Sequence, residues 1–235
     1  MKNVLAIIPA RSGSKGIPNK NIKLLGGRPL IEYTFENCKS CNYIQRTIVT
    51  TDSNEIADIS LNNGIEVPFL RPKNISNDES TSKSYVLHAL EFLKKKENYI
   101  PEIILILQPT SPFRQVVDIK QTIDILNEND ADSVVSVTEI DKKYNPEWQF
   151  NVMMDGSLKF FNKDIDWNSL ASRRQKLAST YTRNGAVYCF KRKCLTKYKN
   201  IYGVKVFSYI MPRSRSINLD TLEDWLEAEN YLKKQ

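Results

Sequence analysis

The sequence predicts a three-layer α/β/α fold around a mixed, mostly parallel sheet. Three observations predict it. Short apolar runs at residues 4–8, 44–51, 103–107 and 133–137 alternate with segments of helical period. The run at 103–107 (IILIL) is continuously apolar, as a parallel strand buried on both faces requires. Polar, glycine- or proline-bearing loops follow several of these runs, which is the βαβ pattern of an open sheet with helices on both sides.

Taken in order, residues 4–8 form the first strand, and the loop after it carries Arg11, Ser12, Gly13, Ser14, Lys15, Gly16, Lys20 and Asn21. Pro29 stands at the first position of a helix whose face carries Leu30, Thr34 or Phe35, and Cys38. A second strand, 44–51, leads to a helix capped by Asp52 or Ser53, burying Ile56 and Ile59 and stopped by Gly64. A short third strand is expected at 67–70. The polar loop 71–80 follows, without apolar periodicity and of a size that is often functional. The next helix places Val86, Leu90 and Leu93 on one stripe and His88 at its boundary. Strand 103–107 ends in Gln108-Pro109-Thr110-Ser111-Pro112, a turn stiffened by two prolines. A helix with Val116, Ile119, Ile123 and Leu126 in register and a strand at 133–137 complete this part.

The pattern changes near Thr138. Residues 145–166 read as a hairpin or arm outside the main sheet, with Trp148, Phe150, Phe160, Phe161 and Trp167 gathered there or just beyond. An arm this aromatic needs a cover, either its own domain or a partner subunit. Aromatics are enriched at interfaces, which favours the partner, so this arm, approximately residues 140–182 inserted in a single domain spanning 1–235, is expected to pair two copies as a homodimer. Strands at 185–190, 202–211 and 216–219 follow, the last ending at Asp220. The final helix starts at Thr221, capped by Asp220 or Thr221, and is expected to bury Leu222, Trp225, Leu226 and Leu232.

The net charge of +7 is dispersed, and its main run, Lys94–Lys96, falls at a helix end where positive charge suits the dipole. No basic motif is interleaved with aromatics, so no nucleic-acid partner is expected. No apolar run reaches membrane-spanning length, and no signal-like region precedes the first strand, so a cytoplasmic protein without membrane contact is expected. Cys38, Cys41, Cys189 and Cys194 sit in helix- and strand-like segments rather than in knuckles, which favours reduced, buried thiols over zinc. A single histidine excludes a multi-histidine metal site.

The first loop carries the chemistry. Glycines permit close backbone approach, exposed amides cradle anions, and Arg11, Lys15 and Lys20 supply three positive charges suited to a polyphosphate. Neither GxxxxGK[ST] nor GxGxxG is present. Residues 8–22, IPARSGSKGIPNKNI, closely resemble the signature of the acylneuraminate cytidylyltransferase family. LRPKNISND (70–78), LQPTSPFR (107–114), DSVVSV (132–137), NGAVY (184–188) and INLDT (217–221) resemble further blocks of that family, in its order.

The resemblance implies a Rossmann-like nucleotidyltransferase fold and a reaction in which CTP and a nonulosonic, sialic acid-like sugar give a CMP-sugar and pyrophosphate, with Mg2+ as cofactor. It places Arg11, Ser14, Lys15, Lys20 and Asn21 on the nucleoside triphosphate, and Arg71, Ser80 and Ser82 on cytosine and ribose. Gln108, Ser111, Arg174, Tyr181 and Asn184 fall on the sugar side. Asp220 and Asn218 fall at the metal, and Lys20, Arg11 and Asp220 are the expected catalytic groups. Two departures stand out. The family's usual I-D-I-D-T is Ile217-Asn218-Leu219-Asp220-Thr221 here, one carboxylate short. Thr182 stands where some sialic acid-specific members carry arginine, which here comes one residue later as Arg183. A nucleotidyltransferase for another keto-deoxy sugar or a sugar phosphate, and a non-catalytic nucleotide- or sugar-binding homologue, remain as alternative readings.

Overall fold

The computed structural model describes residues 3–171 and 173–234, so the arm expected at 140–182 is described except at residue 172. The chain begins with β1 (Val4–Pro9), a two-residue ribbon of β2 (Leu24–Leu25) and β3 (Arg28–Pro29), and α1 (Leu30–Ser40). It continues through β4 (Arg46–Thr50), α2 (Asn54–Asn62), α3 (Ser82–Glu97), β5 (Ile103–Ile106), α4 (Val116–Glu128) and β6 (Ser133–Glu139). An arm hairpin of β7 (Phe150–Val152) and β8 (Leu158–Phe160) precedes β9 (Tyr181–Lys191), α5 (Lys193–Lys197), β10 (Val206–Ile210) and α6 (Leu222–Leu232).

The central sheet has six strands in the order β10-β6-β9-β5-β1-β4. β1 runs parallel to β4 and β5, and β10 parallel to β6, while β9 is antiparallel to both its neighbours. The sheet is therefore mixed and mostly parallel, as expected. Successive residues of β1 point to opposite faces. Val4, Ala6 and Ile8 pack with Phe35 of α1 and Ile119, Ile123 and Leu126 of α4, whereas Leu5 and Ile7 pack with Val86, Ala89 and Leu93 of α3. Both faces are covered, which is why the strand reads as an unbroken apolar run.

Several elements differ from expectation. Residues 67–70 form no strand, only isolated bridges from Glu66 to Ile48 and Leu70 to Thr51. Pro68 lies between them and has no N–H to give a ladder. Residues 216–219 form no strand; Leu219 N–H donates to the Thr110 carbonyl at 2.8 Å. Leu222 and Leu226 are exposed, and α6 instead buries Trp225 and Ala228 against Leu25, Tyr33 and Phe113. The β2–β3 ribbon was unforeseen, although Gly26 and Gly27, both at positive φ, carry its turn signal. Pro29 caps α1 from outside rather than opening it. Ala89 fills the α3 stripe where Leu90 was expected, and Leu90 is half-buried. His88 sits at the boundary, edge-on to Phe69.

In the arm, Trp167 stacks on Phe150 with centroids 5.5 Å apart and meets Phe160 at 4.6 Å. Trp148 Nε1–H donates to the Ala171 carbonyl. Phe161 and Trp167 nevertheless stay about three-fifths exposed, at 62% and 60%. All four thiols are free and buried, and burial pushes those of Cys38 and Cys194 up to about 11.

One buried ion pair fixes the approach to the last segment. Asp118 of α4 is wholly buried, accepts from the Gln115 N–H and the Tyr209 hydroxyl, and takes both Nε and Nη2 of Arg215. It ties the chain beyond β10 to α4 just before residues 218–220. Removing one member of a buried pair leaves an uncompensated charge. Asp118→Ala is expected to lower unfolding free energy by about 3–5 kcal/mol, read from the urea midpoint at unchanged m-value.

Candidate active site

β1 lies between β5 and β4, so the chain leaves its carboxyl end toward one side and returns on the other. That switch point is where open α/β sheets form a ligand crevice. The crevice here is a cleft of about 480 Å³. The loop after β1 walls it with Arg11, Ser14, Lys15, Gly16, Lys20 and Asn21. Arg71, Asp78, Ser80, Ser82 and Tyr85 form the opposite wall, and Gln108, Thr110, Asn218 and Asp220 complete it.

The first loop is held at three places. Asn21 is buried and its Nδ2 donates to the Arg11 carbonyl at 3.0 Å, tying the two ends of the loop. Ser12 gives both its N–H and its hydroxyl to the Asp52 carboxylate, each at 2.9 Å. Gly16 lies against residue 220: a Cβ there would stand 2.2 Å from the Asp220 carbonyl oxygen, so only glycine fits.

Lys20 crosses to the other end of the chain. Its ammonium donates to the Leu219 carbonyl at 2.6 Å and pairs with Asp220 Oδ1 at 2.9 Å, with the side chain only 12% exposed. Asn218 donates its amide NH2 to Asp220 Oδ2. Capping of α6 does not occupy Asp220: the Thr221 hydroxyl accepts from Asp224 N–H, and the Asp224 carboxylate accepts from the N–H of both Asp220 and Thr221. The Asp220 carboxylate therefore faces the cleft.

Two buried polar atoms of residues lining the cleft lack partners among the described residues. Arg71 donates Nε–H to the Ser76 hydroxyl and lies over the Tyr85 ring, but its Nη2 is unsatisfied. Burial lowers the pKa of the guanidinium and pushes the Tyr85 phenol up to about 12. Asn218 Oδ1 is the second orphan; it faces Gly185, whose Cβ would come within 2.8 Å of Gln108 Oε1 and 3.4 Å of that oxygen. Gly185 also has φ +74°, so a side chain is barred twice. Orphaned buried groups at a cleft mark where a ligand completes the hydrogen bonding.

The sugar-side residues divide. Gln108 lines the cleft. Ser111 and Asn184 are buried beneath it: Ser111 donates to the Asn184 carbonyl, and Asn184 bonds Ser136, Ala186 and Ser216 through its amide. Arg174 stands outside, paired with Asp141 at 2.7 Å, and Tyr181 is exposed opposite Glu139 at the start of β9. Sequence reasoning missed Asp78, Asp52, Tyr85 and Arg114. Arg114 is fully buried and donates to the carbonyls of Gln108 and Ala186 and to the Thr34 hydroxyl, so it sets the Gln108 turn from behind. Only an arginine directly after the proline turn hinted at it, and Asp78 stood out only as an acid in a polar loop.

A strand-end cleft with three cations on one glycine-bearing loop and an acidic group opposite defines a nucleotide-binding α/β protein. Residues 5–229 match the family model described as cytidylyltransferase, and the chain belongs to that family. It is 32% identical over 235 residues to a CMP-N,N'-diacetyllegionaminic acid synthase of Legionella pneumophila, covering 98% of this chain and 96% of that relative. It is also 32% identical over 234 residues to a pseudaminic acid cytidylyltransferase of Campylobacter jejuni, covering 100% and 97%. Among solved structures, a CMP:2-keto-3-deoxy-manno-octonic acid synthetase complexed with CTP aligns over 99% of both chains with TM-score 0.72. At 16% identity that likeness shows the fold alone.

Gly16→Ala forces the first loop away from residue 220, because neither the backbone carbonyl nor the new methyl can yield. Nucleotide affinity is expected to fall at least tenfold while the thermal midpoint moves little, measured by calorimetric titration of CTP alongside a melt.

Proposed function

We propose that the protein transfers a cytidylyl group from CTP to a nonulosonic acid, giving a CMP-sugar and pyrophosphate. The observation that carries this reading is the convergence of Arg11, Lys15, Lys20 and Asn21 with Arg71 and Asp220 on one cleft. The relatives' names support the nonulosonic class, and they differ in the sugar, so the reading stops at the class.

In this reading Arg11, Ser14, Lys15 and Asn21 hold the triphosphate, and the orphaned Nη2 of Arg71 meets the cytosine, with Ser80 and Ser82 near the ribose. The sugar's anomeric oxygen bonds to the α-phosphorus, the bond from that phosphorus to the bridging oxygen breaks with its electron pair leaving on pyrophosphate, and the hydroxyl proton passes to water. Lys20 is held in place before the reaction by Leu219 and Asp220, so its ammonium opposes charge growing at the α-phosphate without reorganising. Gln108 reaches the sugar, and Ser111 and Asn184 set the floor under it.

The donor set fits a hard divalent cation, Mg2+: the exposed Asp220 carboxylate, with phosphate oxygens and water supplying the remaining ligands. The cation would neutralise charge on the triphosphate and its leaving group. Asn218 holds Asp220 through its NH2 group in the arrangement present, so it orients the carboxylate. The exposed aromatics of the arm support a homodimer, and Arg174 and Tyr181, which stand outside the cleft of their own copy, serve the sugar in this reading across that interface. A cytoplasmic enzyme accords with a chain in which no described helix is long and apolar enough to cross a membrane.

Pyrophosphate release from CTP, magnesium and a panel of nonulosonic acids tests the reading; binding of CTP with no pyrophosphate from any sugar would favour the non-catalytic alternative. Lys20→Ala is expected to slow turnover about a hundredfold, equivalent to ~3 kcal/mol of transition-state stabilisation. Asp220→Asn is expected to abolish turnover across a magnesium titration, and an unchanged rate and magnesium dependence would remove Asp220 from the metal site. Light scattering at micromolar concentration is expected to give a dimer mass, lowered to that of a monomer by Trp167→Asp.

A further inference from the structure

The loop between Arg71 and α3 brings an acid into the cleft. Asp78 divides its carboxylate between two cations of the first loop: Oδ1 meets Arg11 Nη2 at 2.6 Å, and Oδ2 meets Lys15 Nζ at 2.6 Å. Hydrogen bonds from Lys15 and then Arg11 hold the carboxyl below its usual range. Two oxygens bridging an arginine and a lysine reproduce the way a phosphate group would bridge them. A polyphosphate needs the same donors and repels the carboxylate, so the two cannot hold them together.

We propose that Asp78 is an internal competitor for the polyphosphate: it occupies Arg11 and Lys15 in the free protein, yields them to the incoming triphosphate, and takes them back as pyrophosphate leaves. The inference rests on the reading above that these two cations hold the triphosphate. Apparent affinity then equals intrinsic affinity scaled by the fraction of molecules in which the cations are free. Asp78 does not move alone. Asn77 N–H donates to the Ser80 hydroxyl, that hydroxyl donates to Asn77 Oδ1, and Ser80 N–H donates to the Asn77 carbonyl, closing a turn around Asp78. Displacing Asp78 therefore re-aims Ser80 on the ribose side, so phosphate binding adjusts the nucleoside wall of the cleft. Lys15 is 82% exposed and Asp78 38%, so the pairs are solvent-screened and the competition is modest, about threefold to tenfold.

The test is calorimetric titration of inorganic pyrophosphate alone, and separately of CTP, into the wild type and Asp78→Asn. The variant is expected to bind both about threefold to tenfold tighter. In the wild type, pyrophosphate is expected to speed amide hydrogen exchange across residues 76–80, a readout that needs no variant. Equal or weaker binding by the variant overturns the proposal, as does unchanged or slower exchange. Loss of turnover in Asp78→Asn with a raised magnesium requirement overturns it too, by marking Asp78 as a metal ligand. A wild type that binds pyrophosphate but not CTP defeats the cytidylyl reading while the pyrophosphate arm still decides the competition. A wild type that binds neither defeats both.

Discussion

One ammonium group joins the two ends of this chain. Lys20 sits on the loop after the first strand, and its partners, the Leu219 carbonyl and the Asp220 carboxylate, come some two hundred residues later. The contact joins two parts of the cleft lining and sets where the Asp220 carboxylate stands. The rest of the site depends on it, because the first loop meets residue 220 at Gly16 as well, with no room for a side chain between them. Moving residue 220 therefore moves the loop that carries the other cations.

Holding that contact takes supports that do not touch the cleft. Asp118 and Arg215 clamp the chain beyond β10 to α4, so residues 216–220 arrive from a fixed point. Thr221 and Asp224 cap α6 between them and leave the Asp220 side chain to Lys20 and Asn218. Arg114, buried behind the turn after β5, fixes the Gln108 carbonyl and the middle of β9 together. Asp118 and Arg114 are polar groups set in the interior with their hydrogen bonds largely satisfied, which confers a defined geometry rather than simple burial.

The electrostatics follow a related logic. The cleft presents cations to an anionic ligand, yet the structure sets a carboxylate near most of them: Asp78 against Arg11 and Lys15, Asp220 against Lys20. Arg71 is buried with one nitrogen unsatisfied and feels the charge of Asp52. A loop of bare positive charges would repel itself, and the acids relieve that repulsion.

Much of this was legible in the sequence. The apolar runs of β1 and β5 announced strands buried on both faces, and the loop after β1 named its own cations, because local pattern and local chemistry suffice for both. The Gly-Gly turn of β2 and β3 was legible too, and so was Pro68, which denies residues 67–70 a ladder. Other features had no local signal. Leu222 and Leu226 face out because α6 turns Trp225 and Ala228 to the core. Which side of an amphipathic helix is buried depends on what it packs against, and that is a property of the whole fold. The same holds for the site. Sequence alone determined which residue types this protein offers a nucleotide and in what order. Only the tertiary structure decided that Asp78 would meet Arg11 and Lys15, that Lys20 would meet Asp220, and that Arg174 and Tyr181 would lie outside the cleft. Those contacts join positions far apart in the chain, and no periodicity or spacing encodes a distance that folding alone brings about.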